Sequence, residues 1–152
     1  MELAQSVWFR NYSLTEINER GQGCMVEHLG IKMIEIGDRH LTGTMPVDHR
    51  TKQPDGILHG GASVTLAETL ASTAGNLVVD HQTQVCVGLE INANHIRSAS
   101  DGVVQGRATA VHLGRSTQVW EVKIEQNGKL ICMSRMTLAV VPRKSGKSPD
   151  KA

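Results

Sequence analysis

Apolar and small residues recur with a helical spacing in the middle of the chain, in the segment DGILHGGASVTLAETLAS and the residues after it. The positions that form one apolar stripe are Leu66, Leu70, Ala74 and Leu77. The small residues beside this stripe are Ala62, Ala67, Ala71 and Gly75. A sheet can pack closely around such a thin helix, so we expect it to be the most buried element of the protein.

Most of the remaining chain alternates apolar and polar residues with the period of a β-strand. The predicted strands are residues 29–37, 39–47, 84–97, 102–114, 116–126 and 129–141. In the first strand, Ile31, Met33 and Glu35 share one face. One face of the fifth strand carries Gln118, Trp120, Val122 and Ile124, and one face of the sixth carries Leu130, Cys132, Met136, Leu138 and Val140. The pair Asn127-Gly128 predicts a tight hairpin between these last two strands.

A short helix is predicted near the N-terminus. Ser13, followed by Glu16 three residues later, is the pattern of a capping box and predicts a helix over residues 14–20.

The elements together predict an α+β fold, in which a curved antiparallel sheet wraps one long helix. We expect a single domain over residues 1–142, and we expect the polar tail 143–152 to be disordered.

Composition excludes several classes of function. The chain has 152 residues and a formal net charge of +1 at pH 7, which favours neither nucleic acid nor an anionic membrane as a partner. The aromatic residues Trp8, Phe9, Tyr12 and Trp120 are too few for a base-stacking platform. We therefore expect aliphatic and small side chains to fill the core.

The cysteines and the apolar run bear on location. Cys24, Cys86 and Cys132 lack CxxC spacing, which argues against a disulfide framework or a zinc site and fits a reducing cytoplasm. The N-terminus lacks the basic and apolar pattern of a leader. The run 56–79 is long enough to span a bilayer but holds polar residues and several glycines, so we predict no membrane helix. We expect a cytoplasmic protein without a metal.

Glu68 is the only formal charge between residues 56 and 79. On a helix it shares a face with Thr65 and Ser72. One interpretation is an ordinary solvated stripe, but such a face usually carries several charges. The alternative is a buried carboxylate, whose pKa burial would raise, and which could act as a base or a nucleophile. The absence of other charges favours the second interpretation.

His59, Gly60 and Gly61 precede this helix. The first backbone N–H groups of a helix have no partner within it, and glycine lets another group approach them closely. The turn can thus serve as an oxyanion hole for a carbonyl, although a plain glycine turn has the same pattern.

The spacing between these two features predicts an assembly. Gly60 and Glu68 are eight residues apart, roughly 12 Å along a helix axis, so one carbonyl cannot contact both. If both act on the same bond, Glu68 must come from a second copy of the chain. We therefore expect a homodimer with two composite sites.

The segments MPVDHRTKQPDGILHGGASVTLAETLAS, VGLEINANHIRSA and HLGRSTQVWEV resemble the hotdog-fold acyl-CoA thioesterases. The resemblance covers about residues 14–141. It is closest to the bacterial branch that acts on aromatic acyl thioesters in menaquinone and enterobactin synthesis. It implies the hotdog fold, a dimer whose sheets join, a homotetramer built from two dimers, and a small-molecule acyl-CoA substrate. It also implies no cofactor, because CoA is part of the substrate.

The resemblance assigns roles by position. Glu68 matches the catalytic carboxylate, and the Gly60 N–H matches the group that polarises the thioester carbonyl. Gln53 and His59 match residues that orient the thioester or water, and Ser72 matches a hydroxyl that holds the water. The positions that match segments lining the CoA path are Gly88, His95, Ile96, Arg97, Ser98, His112, Leu113, Gly114, Arg115, Ser116 and Thr117. Guanidinium groups at Arg97 and Arg115 suit the CoA phosphates, although either can be an ordinary exposed arginine.

Two positions depart from close relatives. Asp55 stands where an aromatic residue is frequent, and Thr73 lies at a position that varies among them; both put the acyl group in doubt. The resemblance leaves open a general-base or a nucleophilic role for Glu68, and a CoA or a carrier-protein thioester. A hotdog-fold hydratase or dehydratase, or an acyl-CoA-binding protein without turnover, are the alternative functions.

Overall fold

The structure is a computed structural model that describes residues 6–144. Its elements are α1 (Leu14–Glu19), α2 (Met25–His28), β1 (Lys32–Ile36), β2 (His40–Pro46), α3 (Gly60–Val78), β3 (Gln84–His95), β4 (Val103–Leu113), β5 (Thr117–Gln126) and β6 (Lys129–Pro142). Apart from its first two residues, the predicted tail 143–152 lies outside the described residues. The single-domain interpretation stays a prediction.

The six strands form one antiparallel sheet in the order β1-β2-β4-β5-β6-β3, which packs against α3. The predicted α+β class and the arrangement of a long helix against an antiparallel sheet are confirmed. Strands β1 and β3 are the two edges of the sheet. Among residues 6–144, no helix is both long and apolar enough to cross a membrane.

The apolar stripe of α3 lies against the sheet. Leu66, Leu70 and Ala74 have no exposed surface, and Leu77 is 1% exposed. Gly75 allows the close approach, because a Cβ there would overlap the Leu138 side chain and lie 2.8 Å from Gln118 Oε1.

Polar contacts also join α3 to the sheet. The buried Gln118 side chain donates to the Gly75 carbonyl at 3.3 Å, and its Oε1 accepts from Trp120 Nε1 at 3.0 Å. The predicted face of β5 is confirmed, since its four residues are at most 1% exposed. The hairpin is confirmed by the left-handed backbone of Asn127 (φ 51°) and Gly128 (φ 72°).

Two β-bulges correct the predicted strand faces. Met33 pairs with Gly43 and Glu35 pairs with Thr42, so Ile34 is an extra residue. Glu35 therefore faces solvent, whereas Met33 is buried. The prediction that Met33 and Glu35 share one face of the strand is wrong.

The second bulge lies between β5 and β6. Ile124 pairs with Cys132 and Glu125 pairs with Leu130, which leaves Ile131 unpaired. Ile131 is consequently buried, whereas Leu130, predicted on the core face, is half-buried. The helix α2 was not predicted from the sequence.

The expectation that α3 is the most buried element is wrong for the single chain. Eight of its nineteen residues are buried, against four of seven in β2. The opposite face of α3 carries Glu68 and several hydroxyl side chains and remains open. Cys86 and Cys132 are buried free thiols, and Cys24 is an exposed one.

Candidate active site

The N-terminus of α3 presents backbone donors, as predicted. His59 is the N-cap, and its Nδ1 accepts a hydrogen bond from the Gly61 N–H at 2.8 Å. The Gly60 N–H makes no hydrogen bond within residues 6–144. Because Nδ1 is an acceptor, the neutral His59 ring carries its proton on Nε2. Two donors, the backbone N–H of Gly60 and the ring Nε2–H of His59, thus remain available at this end of the helix.

The loop before α3 is held by backbone hydrogen bonds. The His59 N–H donates to the Thr51 carbonyl at 2.8 Å, and the Gln53 N–H donates to the Ile57 carbonyl at 2.9 Å. The Gln53 side-chain Oε1 accepts from the Asp55 N–H at 2.5 Å. This contact leaves the Gln53 amide nitrogen, which has no partner among the described residues, as a third donor.

An ion pair anchors the same loop. Arg50 donates to both carboxylate oxygens of Asp48, at 2.6 and 3.1 Å, and to the His28 carbonyl at 3.0 Å. The hydrogen bonds from Arg50 hold the pKa of the Asp48 carboxyl well below its usual range. Thr51 reinforces the turn, because its Oγ1 donates to the Pro46 carbonyl and accepts from the Asp48 N–H. These contacts tie the loop to α2.

A cleft of about 370 Å³ opens at this end of the helix. Its lining includes Gln53, Gly60, His95, Ile96, Arg97 and Ser98. The His95 ring lies over Gly60, since a Cβ there would lie 2.8 Å from His95 Nε2. Arg97 donates to the Leu130 carbonyl at 2.9 Å and is otherwise exposed. We call Gln53, His59, Gly60 and residues 95–98 the N-terminal half-site.

Glu68 lies elsewhere, on the open face of α3. Its Oε1 would be 3.5 Å from a Cβ at Gly88 on the edge strand β3. Ser72, one turn further along α3, places its Oγ 3.8 Å from Met136 Sδ. A carboxylate hidden from water was expected, and this is wrong for the single chain, where Glu68 is exposed.

Residues 112–117 comprise the end of β4, the turn 114–116 and the first residue of β5. Leu113 pairs with Gln118, Gln118 with Leu138, and Leu138 with Gly88. The turn therefore lies at the end of the sheet that contains Gly88 and the second half of α3. His112, Arg115 and Ser116 are exposed there. We call Glu68, Ser72, Gly88 and residues 112–117 the mid-helix half-site.

The candidate residues thus separate into two groups within one chain. Gly60 and Glu68 are roughly 12 Å apart along the α3 axis. His95 and Gly88, which lie beside them on β3, are seven residues apart. One chain does not bring the carbonyl-binding donors and the carboxylate to the same point.

Comparisons with known proteins agree with this architecture. The family model of the thioesterase superfamily matches residues 55–132. The 1,4-dihydroxy-2-naphthoyl-CoA hydrolase of Escherichia coli (strain K12) is 51% identical over 136 residues, which cover 89% of this chain and 99% of that protein. The chain belongs to the thioesterase superfamily.

Other relatives support the same assignment. The proofreading thioesterase EntH of Cronobacter turicensis is 48% identical over 136 residues, covering 89% of this thioesterase and 98% of that protein. A crystal structure of a glutamine mutant of thioesterase PA1618 from Pseudomonas aeruginosa superposes with a TM-score of 0.89 at 46% identity. The superposition covers 91% of this chain and 100% of the PA1618 chain. The predicted family, the hotdog fold and the activity of a thioester hydrolase are confirmed.

Sequence reasoning missed residues that support the site of this thioesterase. Asp48, Arg50 and Thr51 hold the loop that carries Gln53 and His59. Asp48 was the available signal, because an aspartate side chain often accepts a hydrogen bond from the backbone N–H two residues on and so closes a turn, as Asp48 does with the Arg50 N–H. Within residues 6–144, no cluster of three or more His, Cys, Asp or Glu side chains is arranged to hold a metal. The expected absence of a cofactor stays a prediction.

Proposed function

We propose that this thioesterase hydrolyses CoA thioesters of aromatic acids at composite sites formed by two copies of the chain. The observation that carries the proposal is the separation of Gly60 from Glu68 into two half-sites. The relative from Escherichia coli is named as a hydrolase of a naphthoyl-CoA, which supports an aromatic acyl group.

The edge strand β3 supplies a surface for the second copy. Val87 and Leu89 on this edge are 43% and 62% exposed. An unpaired edge with apolar side chains favours pairing with another strand. If two sheets join at β3 and the α3 helices run antiparallel, the N-terminal half-site of one copy faces the mid-helix half-site of the other. The pairing also covers Glu68.

In this site the thioester oxygen accepts a hydrogen bond from the Gly60 N–H. The side chains of His59 and Gln53 provide further donors that orient the thioester or water. These donors stabilise the negative charge that develops on the oxygen when the carbonyl carbon is attacked. In the general-base route, Glu68 takes a proton from water, the hydroxide attacks, the C–S bond breaks, and the proton passes to the CoA thiolate.

In the alternative route the Glu68 carboxylate attacks the carbonyl and expels the CoA thiolate, and water then hydrolyses the mixed anhydride. Ser72, one turn from Glu68, can hold the water in either route. Arg97 and Arg115 belong to different half-sites, so a bound CoA meets guanidinium groups of both copies. A homotetramer, a cytoplasmic location and an additional carrier-protein substrate are further parts of the proposal.

Subunit complementation tests the composite site. Gly60 is the first residue of α3, where proline fits the helix and removes the N–H. Gly60→Pro and Glu68→Gln chains, each with a different affinity tag, are co-expressed and purified over both tags. A mixed dimer contains one intact site, so we expect about half of the wild-type rate of thiol release from benzoyl-CoA.

The matched control is Gly60→Ala, which adds a Cβ beside His95 but keeps the N–H. We expect this variant to retain most of its activity. Mixed dimers as inactive as both parents would show that Gly60 and Glu68 act from the same chain and would overturn the composite site. An active monomer in sedimentation at assay concentration would do the same.

A substrate panel tests the reaction class. We expect the highest kcat/KM for aromatic acyl-CoAs in a comparison with short and long aliphatic acyl-CoAs and an aryl-loaded carrier protein. Hydration of a 2-enoyl-CoA without thiol release would contradict the proposal, as would binding of all esters without turnover.

A further inference from the structure

Met136 lies on β6, directly beside the mid-helix half-site. The residue is 1% exposed, and it pairs with Trp120 on β5 and with Ile91 on β3. Its methyl group packs at Gly88, since a Cβ there would lie 3.0 Å from Met136 Cε. Its sulfur contacts Ser72 on α3. The buried thioether therefore links two members of the half-site that lie on different elements.

The Ser72 hydroxyl donates to this sulfur and not to its own helix. A serine or threonine hydroxyl within a helix commonly donates to the carbonyl four residues earlier, and Thr65 does so with Gly61 at 2.9 Å. Ser72 Oγ instead lies 3.8 Å from Met136 Sδ and makes no other hydrogen bond within residues 6–144. The sulfur thus sets the direction in which Ser72 gives its proton.

This direction decides what Ser72 can offer to another molecule. A hydroxyl has one proton to donate and two lone pairs that accept. Because the proton is given to Met136 Sδ, Ser72 Oγ can act only as an acceptor toward a further group. The ionised Glu68 carboxylate, one turn earlier, is also an acceptor. Cβ atoms four residues apart on a helix are separated by about 6 Å, a gap that one water molecule can bridge.

We propose that Met136 is a positioning residue for the hydrolytic water. This inference rests on the proposed function. The water donates one hydrogen bond to the Glu68 carboxylate and the other to Ser72 Oγ, which leaves a lone pair of its oxygen to face the thioester carbon. In the general-base route, the proton shared with Glu68 passes to the carboxylate as the hydroxide attacks.

Met136 acts through Ser72 alone. Without the sulfur, the Ser72 hydroxyl is free to donate to the Glu68 backbone carbonyl, as Thr65 does one face-repeat earlier with Gly61, or to the carboxylate itself. In either arrangement the water loses its second acceptor or competes with Ser72 for the carboxylate. The orientation of its lone pair is then no longer fixed.

The test is a double-mutant cycle with benzoyl-CoA. Met136→Leu removes the sulfur and roughly conserves the volume of the side chain. We expect kcat to fall about fivefold, as the loss of one hydrogen bond allows, and KM to change by less than about twofold. In a Ser72→Ala background, which has no hydroxyl to orient, the same substitution should change kcat by less than about 1.5-fold.

The matched control is Met45→Leu, which removes a sulfur from a position on β2 that has no exposed surface. This variant should keep the wild-type kcat. A purely structural role of Met136 would instead lower kcat by the same factor with and without the Ser72 hydroxyl, and that result would overturn the inference. A folded Met136→Leu with the wild-type kcat would overturn it as well.

A crystal structure of the unmodified protein covers the case in which Met136→Leu does not fold. The ligand is a ketone analogue of benzoyl-CoA, in which a methylene group between the carbonyl and the sulfur prevents hydrolysis. We expect a water within hydrogen-bond distance of both Ser72 Oγ and the Glu68 carboxylate, with Ser72 still in contact with Met136 Sδ. A Ser72 hydroxyl bonded to the Glu68 carbonyl, or the absence of the bridging water, would overturn the inference. Absence of thiol release from benzoyl-CoA by the wild type would instead overturn the proposed function itself.

Discussion

The two half-sites of α3 differ in how they are built. In the N-terminal half-site, backbone hydrogen bonds hold Gln53 and His59, and the Asp48–Arg50 ion pair anchors their loop. In the mid-helix half-site, Glu68 and Ser72 lie on an open helix face beside an edge strand. The first is organised within one chain, whereas the second needs a covering surface before its carboxylate leaves water.

This difference bears on the chemistry of the carboxylate, because removal from water makes a carboxylate a better base. The proposed second copy supplies both the desolvation and the thioester-binding donors. The comparison therefore predicts that the mid-helix half-site depends on assembly more than the N-terminal half-site does.

The largest effect is expected from Glu68→Gln, which removes the carboxylate and keeps the size of the side chain. We expect kcat for benzoyl-CoA to fall by about 10²–10⁴-fold, because a positioned base contributes that much. Binding of the CoA ester, measured by calorimetry, should be retained. The control is Glu125→Gln on the outer face of the sheet. A kcat within about threefold of wild type would contradict the catalytic role.

A smaller effect is expected from Gly75→Ala, which disturbs the packing that places the second half of α3. The added methyl group overlaps the Leu138 side chain. Overpacking of this kind should lower the free energy of unfolding in urea by about 1–3 kcal/mol. In a Leu138→Ala background the same change should cost less, because the space is then available. An equal cost in both backgrounds would show that Leu138 is not the reason for the glycine.

The smallest effect is expected from Asp48→Asn in the N-terminal half-site. The folded pKa of Asp48 lies below its unfolded value, so its ion pair stabilises the protein above about pH 4, and that stabilisation is lost as the pH falls. Wild type should therefore exceed Asp48→Asn in stability at pH 5, and the difference should shrink toward pH 2. Urea unfolding curves across this pH range measure the difference in the free energy of unfolding between the two proteins. A difference that stays constant would argue against the ion pair.

Much of the architecture could be predicted because it depends on local patterns. The apolar stripe of α3, the alternating face of β5 and the Asn127-Gly128 turn each follow from neighbouring residues. The His59-Gly60-Gly61 turn of the N-terminal half-site could be predicted for the same reason, since it is contiguous with the start of α3.

The features that were missed depend on pairing between distant segments. A bulge at Ile34 or Ile131 is decided by the register with the neighbouring strand, which the alternation of one strand does not encode. A cavity lined by Ile17 of α1, Thr69 of α3 and His81 also escaped prediction, because these residues come together only in the folded chain.

The sequence by itself determined the order and type of the main elements and the isolation of Glu68 among uncharged residues, because these follow from periodicity and composition along the chain. The tertiary structure decided which residues share a site. It brought residues 95–98 to Gly60, it placed residues 112–117 at the other end of the sheet, and it left Glu68 on an open face. The physical reason is that the antiparallel register and the close packing at Gly75 set distances between segments that are remote in sequence.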